Sequence, residues 1–171
     1  KKMGIKGSST VQIFFNDCEV PVENLLGKRG EGFRIALNIL HIGRIKLGAN
    51  VLGSCRFTTK KSVNYANERK QFGSKISAFG AIQHKLAEQV IRTFAVESAA
   101  YRTSKYVDET IEINVQQGRE KSQAYLKAIG EYAMEAAILK VFGSESLDYI
   151  VDEGVQIHGG MGFSAEMPVD R

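Results

Sequence analysis

The sequence predicts a mainly α-helical protein, an up-down helical bundle preceded by one or two short β-strands. Three long stretches carry apolar residues at spacings of three and four, which is the period of an α-helix. Apolar residues alternate at intervals of two near the N-terminus, as in a strand. Glycines and polar clusters separate the stretches. At 171 residues and 43% hydrophobic content, the chain is long enough to bury a core of its own.

Composition excludes several classes of function. The 23 basic and 19 acidic residues are spread along the chain, without the basic stripe of nucleic-acid-binding proteins. No uninterrupted apolar run reaches the roughly 18 residues of a membrane span, so we expect no transmembrane segment. Cys18 and Cys55 form no C-x-x-C motif, and we expect two reduced, buried thiols. The chain begins with Lys1 rather than Met, as a fragment of a longer protein would.

The N-terminal region, residues 1–27, is expected to be extended. Val11, Ile13 and Phe15 follow the period of a strand. The segment Cys18–Pro21 should be extended as well, because the residue before a proline avoids the helical region. Two short strands do not form a stable sheet alone, so we interpret them as the end of a larger sheet.

The first helix is predicted from Glu31 to Glu68, with an apolar stripe that includes Phe33, Leu37, Leu40, Leu47 and Val51. Arg44 lies on this stripe at the correct phase. Its guanidinium either reaches water while its stem is buried, or binds an anion, and the pattern leaves both interpretations open.

Two further helices follow a polar break between Gln71 and Ala78. The second is predicted from Ala81 to Val107, and residues 108–121 are predicted to be a loop or a frayed helix end because their apolar content falls. The third runs from Tyr125 through Ile150 with the alternating spacing of a bundle seam, and should end before Gly159. A fourth helix, from beyond Arg171 or from another subunit, would complete the bundle.

No metal site is expected, since His41, His84 and His158 lie far apart and outside any metal-binding motif. No Gly-x-Ser-x-Gly nucleophile motif is present.

Two glycine-containing segments are candidate binding sites. In Glu68–Gly73, the cations at 69 and 70 suit a helix C-terminus, but Arg69 with Gln71 and Phe72 also forms a plausible grip for a pyrophosphate and an adenine. The segment Gln156–Gly162 is either a helix cap and turn or a place for close ligand approach. It follows no strand, so it is not a Rossmann motif.

Five segments, in this order, resemble the acyl-CoA dehydrogenase family: Met3–Thr10, Val20–Gly27, Gly30–Phe33, Glu68–Gly73 and Gln156–Phe163, with Glu166–Pro168 after them. The resemblance covers essentially the whole chain, and Leu40–Arg44 and residues 108–121 are most similar to the very-long-chain branch. It implies that residues 1–27 are the end of a middle β-domain with its linker, and residues 28–171 a C-terminal α-helical bundle domain.

The resemblance implies α,β-desaturation of a fatty acyl-CoA in β-oxidation, an oxidoreductase reaction on a CH–CH bond with FAD as cofactor. A glutamate removes the α-proton, the β-hydrogen leaves as a hydride to the flavin, and the electrons pass to an electron-transfer flavoprotein. A homo-oligomer, dimer or tetramer, is implied because the family's helices form the subunit interface. The location would be intracellular: the cytoplasm of a bacterium or the mitochondrial matrix of a eukaryote.

The implied site residues follow by position. Cofactor contacts would come from Arg69, Gln71, Phe72, Gln156, Gly159 and Gly160, the first three reaching the FAD of a neighbouring subunit and the others its adenosine end. Arg44 would face the acyl-CoA site, with His41 one turn before it.

The chain departs from the family in two respects. The base of most members lies in a Glu-Gly-Thr stretch expected beyond Arg171, so the isolated chain should be inactive. Some members carry the base beside the equivalent of Arg44, where this chain has Gly43, and Glu166 matches a different family position. Gly80 stands where the family often has an FAD-contacting amide.

Two alternatives stay open at this stage. An acyl-CoA oxidase would pass the electrons to oxygen, and a non-catalytic relative would use the helices as an assembly or interaction module. A Glu-Gly-Thr in the residues that follow in the gene would favour catalysis.

Overall fold

The computed structural model describes residues 2–167 and divides the chain into two units, Lys1–Phe33 and Arg34–Arg171. Pro168, the last residue of one predicted motif, lies outside the described residues. The first unit is irregular chain with a short 3₁₀-helix at Val22–Asn24, and Cys18 is exposed in it rather than buried.

The predicted strands of the first unit are a correction. No strand forms in its described residues, and Val11, Ile13 and Phe15 are exposed. The cause is the one that makes isolated short strands unstable: without further strands, their backbone groups and apolar side chains have nothing to pair with or pack against.

The second unit confirms the helical bundle. Its helices are α1 (Gly32–Glu68, which begins at the end of the first unit), α2 (Gly80–Gln116), α3 (Lys121–Glu131) and α4 (Ala133–His158). Between α1 and α2 lie β1 (Lys70–Gln71), β2 (Ser74–Lys75) and a 3₁₀-helix at Ile76–Ala78. A 3₁₀-helix at Gly159–Phe163 follows α4.

The three long helices alternate in direction: α1 runs up, α2 runs down and α4 runs up. One apolar cluster joins Ile42 near the start of α1 to Val107 near the end of α2. Another joins Ala66 near the end of α1 to Leu86 near the start of α2. Helices α1 and α2 are therefore antiparallel.

Helices α1 and α4 are parallel and very close, along a contact that we call the α1–α4 seam. Residue numbers rise together along it, and its facing pairs are Gly48 and Leu139, Val51 and Gly143, and Thr58 and Gly154. A Cβ on Gly48 would lie 2.4 Å from Leu139 Cγ, and one on Gly154 would lie 2.8 Å from Thr58 Cγ2. The two helices are thus closer to each other than a side chain at either glycine would permit.

Helix α2 is longer than predicted, because it continues to Gln116 instead of ending at Val107. Ile111 packs against the cluster of Ala128 and Ile129, so the added turns bury apolar surface on α3. Residues 108–121 contain few apolar side chains, so the sequence pattern did not indicate that this part of α2 packs on α3. The helix ends two residues before Gly118, whose φ of +83° is not helical.

The third predicted helix is divided into α3 and α4 at Tyr132, where φ is −98° and ψ is 30°. The Tyr132 hydroxyl lies 2.9 Å from Thr110 Oγ1, and its ring stacks on Tyr106 with centroids 5.6 Å apart. These contacts with α2 hold the break in place. The predicted end before Gly159 is confirmed, since α4 ends at His158.

Within residues 2–167, α1 is the one helix long and apolar enough, by length and composition, to cross a membrane. Small and polar residues are interspersed along this helix, so it contains no uninterrupted apolar run of that length. The core helix of a soluble protein meets the same criterion. In α1, Val51, Leu52 and Cys55 are buried within the bundle, whereas Leu37, Ile39 and Leu40 are exposed.

Candidate functional site

The first glycine-containing segment folds into a β-hairpin directly after α1. Strand β1 pairs antiparallel with β2, so that Gln71 faces Ser74. Phe72 and Gly73 form the two-residue loop, with φ of +53° and +81°. Two successive positive φ angles are typical of a type I′ turn, which favours Asn-Gly rather than an aromatic residue at its first position.

Phe72 is both strained and exposed. A left-handed backbone costs a non-glycine residue about 1–2 kcal/mol, yet the Phe72 side chain is 92% exposed. Its ring meets Phe79 edge-on, at 6.2 Å between centroids. Strain that is retained without a buried contact is typical of segments that bind something.

The backbone of Arg69 is fixed while its side chain is exposed. Its N–H donates to the Tyr65 carbonyl at 2.9 Å, and its carbonyl accepts from the Ile76 N–H at 2.9 Å. Among the described residues 2–167, the exposed guanidinium has no hydrogen-bonding or ionic partner. A planar, permanently charged fork on a fixed backbone is suited to a phosphate.

The second glycine-containing segment caps α4 with glycines in distinct roles. Gly159 has φ +57° and ψ −136°, a backbone conformation that is open essentially to glycine alone. Gly160 is exposed, and a Cβ there would meet nothing within 4 Å. Gly162 is buried, and its Cβ would lie 2.5 Å from the Val155 carbonyl oxygen. Gln156 is exposed two residues before the end of α4.

The structure brings the two segments to the same end of the bundle. Ala66, Ile76 and Ile157 form one apolar cluster beneath them. Above it, Tyr65 stacks on His158 with ring centroids 4.1 Å apart. The six residues predicted to contact a cofactor therefore lie on segments that are held against each other.

Arg44 and His41 lie elsewhere. Both are half-buried on α1, and Arg44 Nη1 is 3.1 Å from His41 Nδ1. Because a guanidinium only donates, His41 Nδ1 is the acceptor and the neutral ring carries its proton on Nε2. At about 1.5 Å rise per residue, Arg44 is roughly 35 Å along the helix from Arg69, so these residues do not join the cofactor candidates.

Two further features lie apart from the predicted residues. An open groove of about 250 Å³ between α1 and α2 is lined by Leu52, Arg56, Tyr101 and four small residues. In the part of the chain that the structure describes, no three His, Cys, Asp or Glu side chains are grouped as metal ligands.

Tyr65 and His158 were not predicted as site residues. Their positions contained a usable signal: Tyr65 is one helical turn before Arg69, and His158 directly precedes Gly159. A part-buried aromatic side chain next to an exposed binding segment often packs beneath that segment. On the helical pattern alone, such a residue cannot be distinguished from a residue of the hydrophobic core.

Comparison with known proteins places this geometry in a family. The model for "Acyl-CoA dehydrogenase, C-terminal domain" matches residues 30–171. A "Probable acyl-CoA dehydrogenase" of Bacillus subtilis is 47% identical over the whole chain, which spans 29% of that protein. A mitochondrial very long-chain specific acyl-CoA dehydrogenase of Rattus norvegicus is 41% identical over the whole chain, which spans 23% of it.

A solved structure agrees with these relatives. An acyl-CoA dehydrogenase of Bacillus anthracis, complexed with FAD, is 48% identical and superposes with a TM-score of 0.82 over 89% of this chain and 26% of its own. The chain thus spans less than a third of the length of these three relatives. From the helical architecture, the two paired segments and these matches, we conclude that the chain belongs to the acyl-CoA dehydrogenase family, with residues 30–171 matching its C-terminal domain.

Proposed function

We propose that this chain supplies a cofactor-binding end and subunit contacts to an FAD-dependent dehydrogenase that desaturates fatty acyl-CoA thioesters in β-oxidation. The observation that carries the proposal is the hairpin loop. A strained, 92% exposed Phe72 lies beside Arg69, whose guanidinium has no partner among residues 2–167, and the hairpin is held against a glycine turn.

The residues present fit a flavin dinucleotide. Arg69 would pair with the pyrophosphate, Gln71 would hydrogen-bond, and Phe72 would stack on a ring of a neighbouring subunit's cofactor. Gln156, Gly159 and Gly160 would line the adenosine end, where the absence of side chains at the glycines lets the backbone approach. The chemistry that FAD supplies when bound is acceptance of the β-hydrogen as a hydride.

On α1, Arg44 is proposed to face the acyl-CoA, oriented by its contact with His41 Nδ1 at 3.1 Å. A cation there would attract the anionic CoA moiety or polarise a carbonyl. Gly43, next to it, has no side chain that could accept a proton. The proposed role of this region is therefore substrate binding rather than proton abstraction.

Oligomerisation is proposed from an apolar stripe on α2. Ile91, Phe94 and Tyr101 share one face and are 59%, 70% and 64% exposed. Large apolar side chains in a row mark an interface, and a second copy, in a dimer or tetramer, is the proposed occupant. Light scattering at high concentration should give the mass of a dimer or a larger oligomer. Phe94→Ser should weaken this association. A wild-type protein that stays monomeric would count against the interface.

The electrons are proposed to pass to an electron-transfer flavoprotein, in an intracellular setting that is the cytoplasm of a bacterium or the mitochondrial matrix of a eukaryote. The relatives support a dehydrogenase, since both are named as such. An oxidase would reduce oxygen instead, so reduction of the flavoprotein acceptor without peroxide formation is the expected result.

The cofactor site is tested by titrating FAD into the complete apoprotein by calorimetry. Arg69→Ala should weaken binding at least tenfold, because a charge-assisted contact with phosphate is lost. Arg102→Ala is the matched control, since it removes an exposed arginine from α2, distant from both segments. Equal affinities for wild type and Arg69→Ala would contradict the assignment.

A second variant distinguishes binding from folding. Gly160→Ala adds a methyl group where the structure has nothing within 4 Å, so the melting temperature should hold. FAD affinity should fall, because the methyl would occupy the space proposed for the cofactor.

A further inference from the structure

Tyr65 is connected to both glycine-containing segments through different atoms. Its backbone carbonyl accepts the Arg69 N–H at 2.9 Å, which fixes the start of the hairpin. Its side-chain hydroxyl donates to the His158 carbonyl at 3.3 Å, which lies directly before the glycine turn. One residue thus contacts the backbone of both segments.

His158 is in turn held firmly. Its side chain is buried, with 4% exposed, and its ring lies on Tyr65 at an interplanar angle of 25°. His158 Nδ1 is 2.8 Å from the Gly154 carbonyl. Since a carbonyl only accepts, Nδ1 carries a proton and the ring orientation is fixed by the previous turn of α4.

The hydroxyl of Tyr65 acts on a peptide plane. The His158 carbonyl belongs to the planar peptide that enters Gly159, and Gly159 is the residue whose φ of +57° turns the chain away from α4. A hydrogen bond to that carbonyl restricts how the plane tilts. It thereby sets the direction of the backbone at Gly159 and Gly160.

We propose that Tyr65 is a positioning residue, which locks the Arg69 hairpin and the Gly159 turn into one rigid cofactor-binding surface through its bond to the His158 carbonyl. This inference depends on the proposed FAD site. The ring of Tyr65 supplies packing on His158, and the hydroxyl supplies orientation. Phenylalanine would retain the first function and lose the second.

The experiment compares Tyr65→Phe with Tyr132→Phe in the complete apoprotein. Both substitutions remove one part-buried tyrosine hydroxyl that makes a hydrogen bond, and both leave a stacked ring. They act at opposite ends of the bundle, so general loss of stability affects both variants, whereas loss of positioning affects only Tyr65→Phe.

We expect FAD to bind Tyr65→Phe roughly fivefold more weakly, the equivalent of one hydrogen bond, and Tyr132→Phe to bind as the wild type does. Without FAD, hydrogen exchange at the Ile76 and Gly159 amides should quicken in Tyr65→Phe alone. In a double-mutant cycle, adding Tyr65→Phe to Arg69→Ala should cost less than fivefold, since the bond to the His158 carbonyl aligns the Gly159 turn with the Arg69 hairpin and this alignment matters less once the guanidinium is gone.

The outcomes separate the two proposals. If Arg69→Ala weakens FAD binding while Tyr65→Phe does not, the positioning role is overturned and the site stands. If Arg69→Ala has no effect, the site itself is overturned. An equal loss of affinity in Tyr132→Phe would show a stability effect and would also overturn the positioning role.

Discussion

The glycines of the α1–α4 seam and the exposed glycines of the two binding segments have opposite surroundings. At the seam, Gly48 and Gly143 are buried and face side-chain atoms that a Cβ would strike at 2.4 and 2.9 Å. In the binding segments, Gly73 and Gly160 are exposed, and a Cβ at either would meet nothing within 4 Å. The seam glycines create contact, whereas the others keep a surface open.

The difference shows how to interpret a glycine that packs against nothing. A seam glycine is explained by its own fold. An exposed glycine with φ of +81°, such as Gly73, is explained by the turn that it permits. The open space beside Gly160 is shared by glycines such as Gly53 and Gly80, so a role for Gly160 rests on its place next to Gly159 in the proposed cofactor site.

The comparison is tested most strongly at Gly48. Gly48→Ala should lower the free energy of unfolding by about 2 kcal/mol, because overpacking against the buried Leu139 exceeds the gain in helix propensity. Gly53→Ala, on the same helix, meets nothing within 4 Å and should raise it by about 0.5–1 kcal/mol. Urea denaturation of both variants gives the two signs, and the same sign for both would disprove the seam.

At Gly73 the expected effect is smaller and has a different cause. Gly73→Ala should cost about 1 kcal/mol of stability, since alanine must adopt a φ of +81°, although no atom obstructs its methyl. Gly80→Ala, at an open helix position without a positive φ, is the control and should change stability by less than about 0.5 kcal/mol. A neutral Gly73→Ala would mean that the hairpin turn is not held in this conformation.

Phe72→Asn should increase stability and weaken FAD binding. Asparagine tolerates the left-handed backbone better, so stability should rise by about 0.5 kcal/mol, while FAD affinity should fall with the lost ring. Phe163→Asn removes a 96% exposed ring from a position without positive φ, and should give no such gain. Thermal unfolding and FAD titration of both variants would reveal whether strain is retained for binding.

The smallest expected effect concerns the thiol of Cys55, which lies on α1 within the buried bundle. Burial raises the pKa of this thiol, so its contribution to stability is complete below the unfolded-state pKa and is lost as the pH rises through the folded-state pKa. At neutral pH, a thiol reagent should modify the exposed Cys18 at once and Cys55 only on unfolding. Rapid modification of both in the native protein would contradict this burial.

The sequence predicts the helices better than their interruptions. The period of α1 is continuous, so both ends were correct to about one residue. The break at Tyr132 depends on contacts with Thr110 and Tyr106 of another helix, which no local pattern contains. The extension of α2 to Gln116 likewise depends on packing against α3.

The same distinction applies to the candidate site. The segments around Arg69 and Gly159 could be singled out because their residue types are unusual together. Their juxtaposition could not be predicted, since it depends on contacts between α1 and α4, such as that of Tyr65 with His158. The left-handed backbone of Phe72 was equally hidden, because an aromatic residue is among the least expected at that turn position.

The α1–α4 seam also has a kinetic consequence. Its partners are separated in the chain by the whole of α2 and α3, so closing it requires a long loop to be ordered first. The neighbouring antiparallel contacts between successive helices are more local and should form earlier on the folding pathway. A substitution that disrupts the seam should therefore accelerate unfolding and leave the folding rate nearly unchanged. The α1–α4 seam would then be the part of the domain that determines how long the folded state persists.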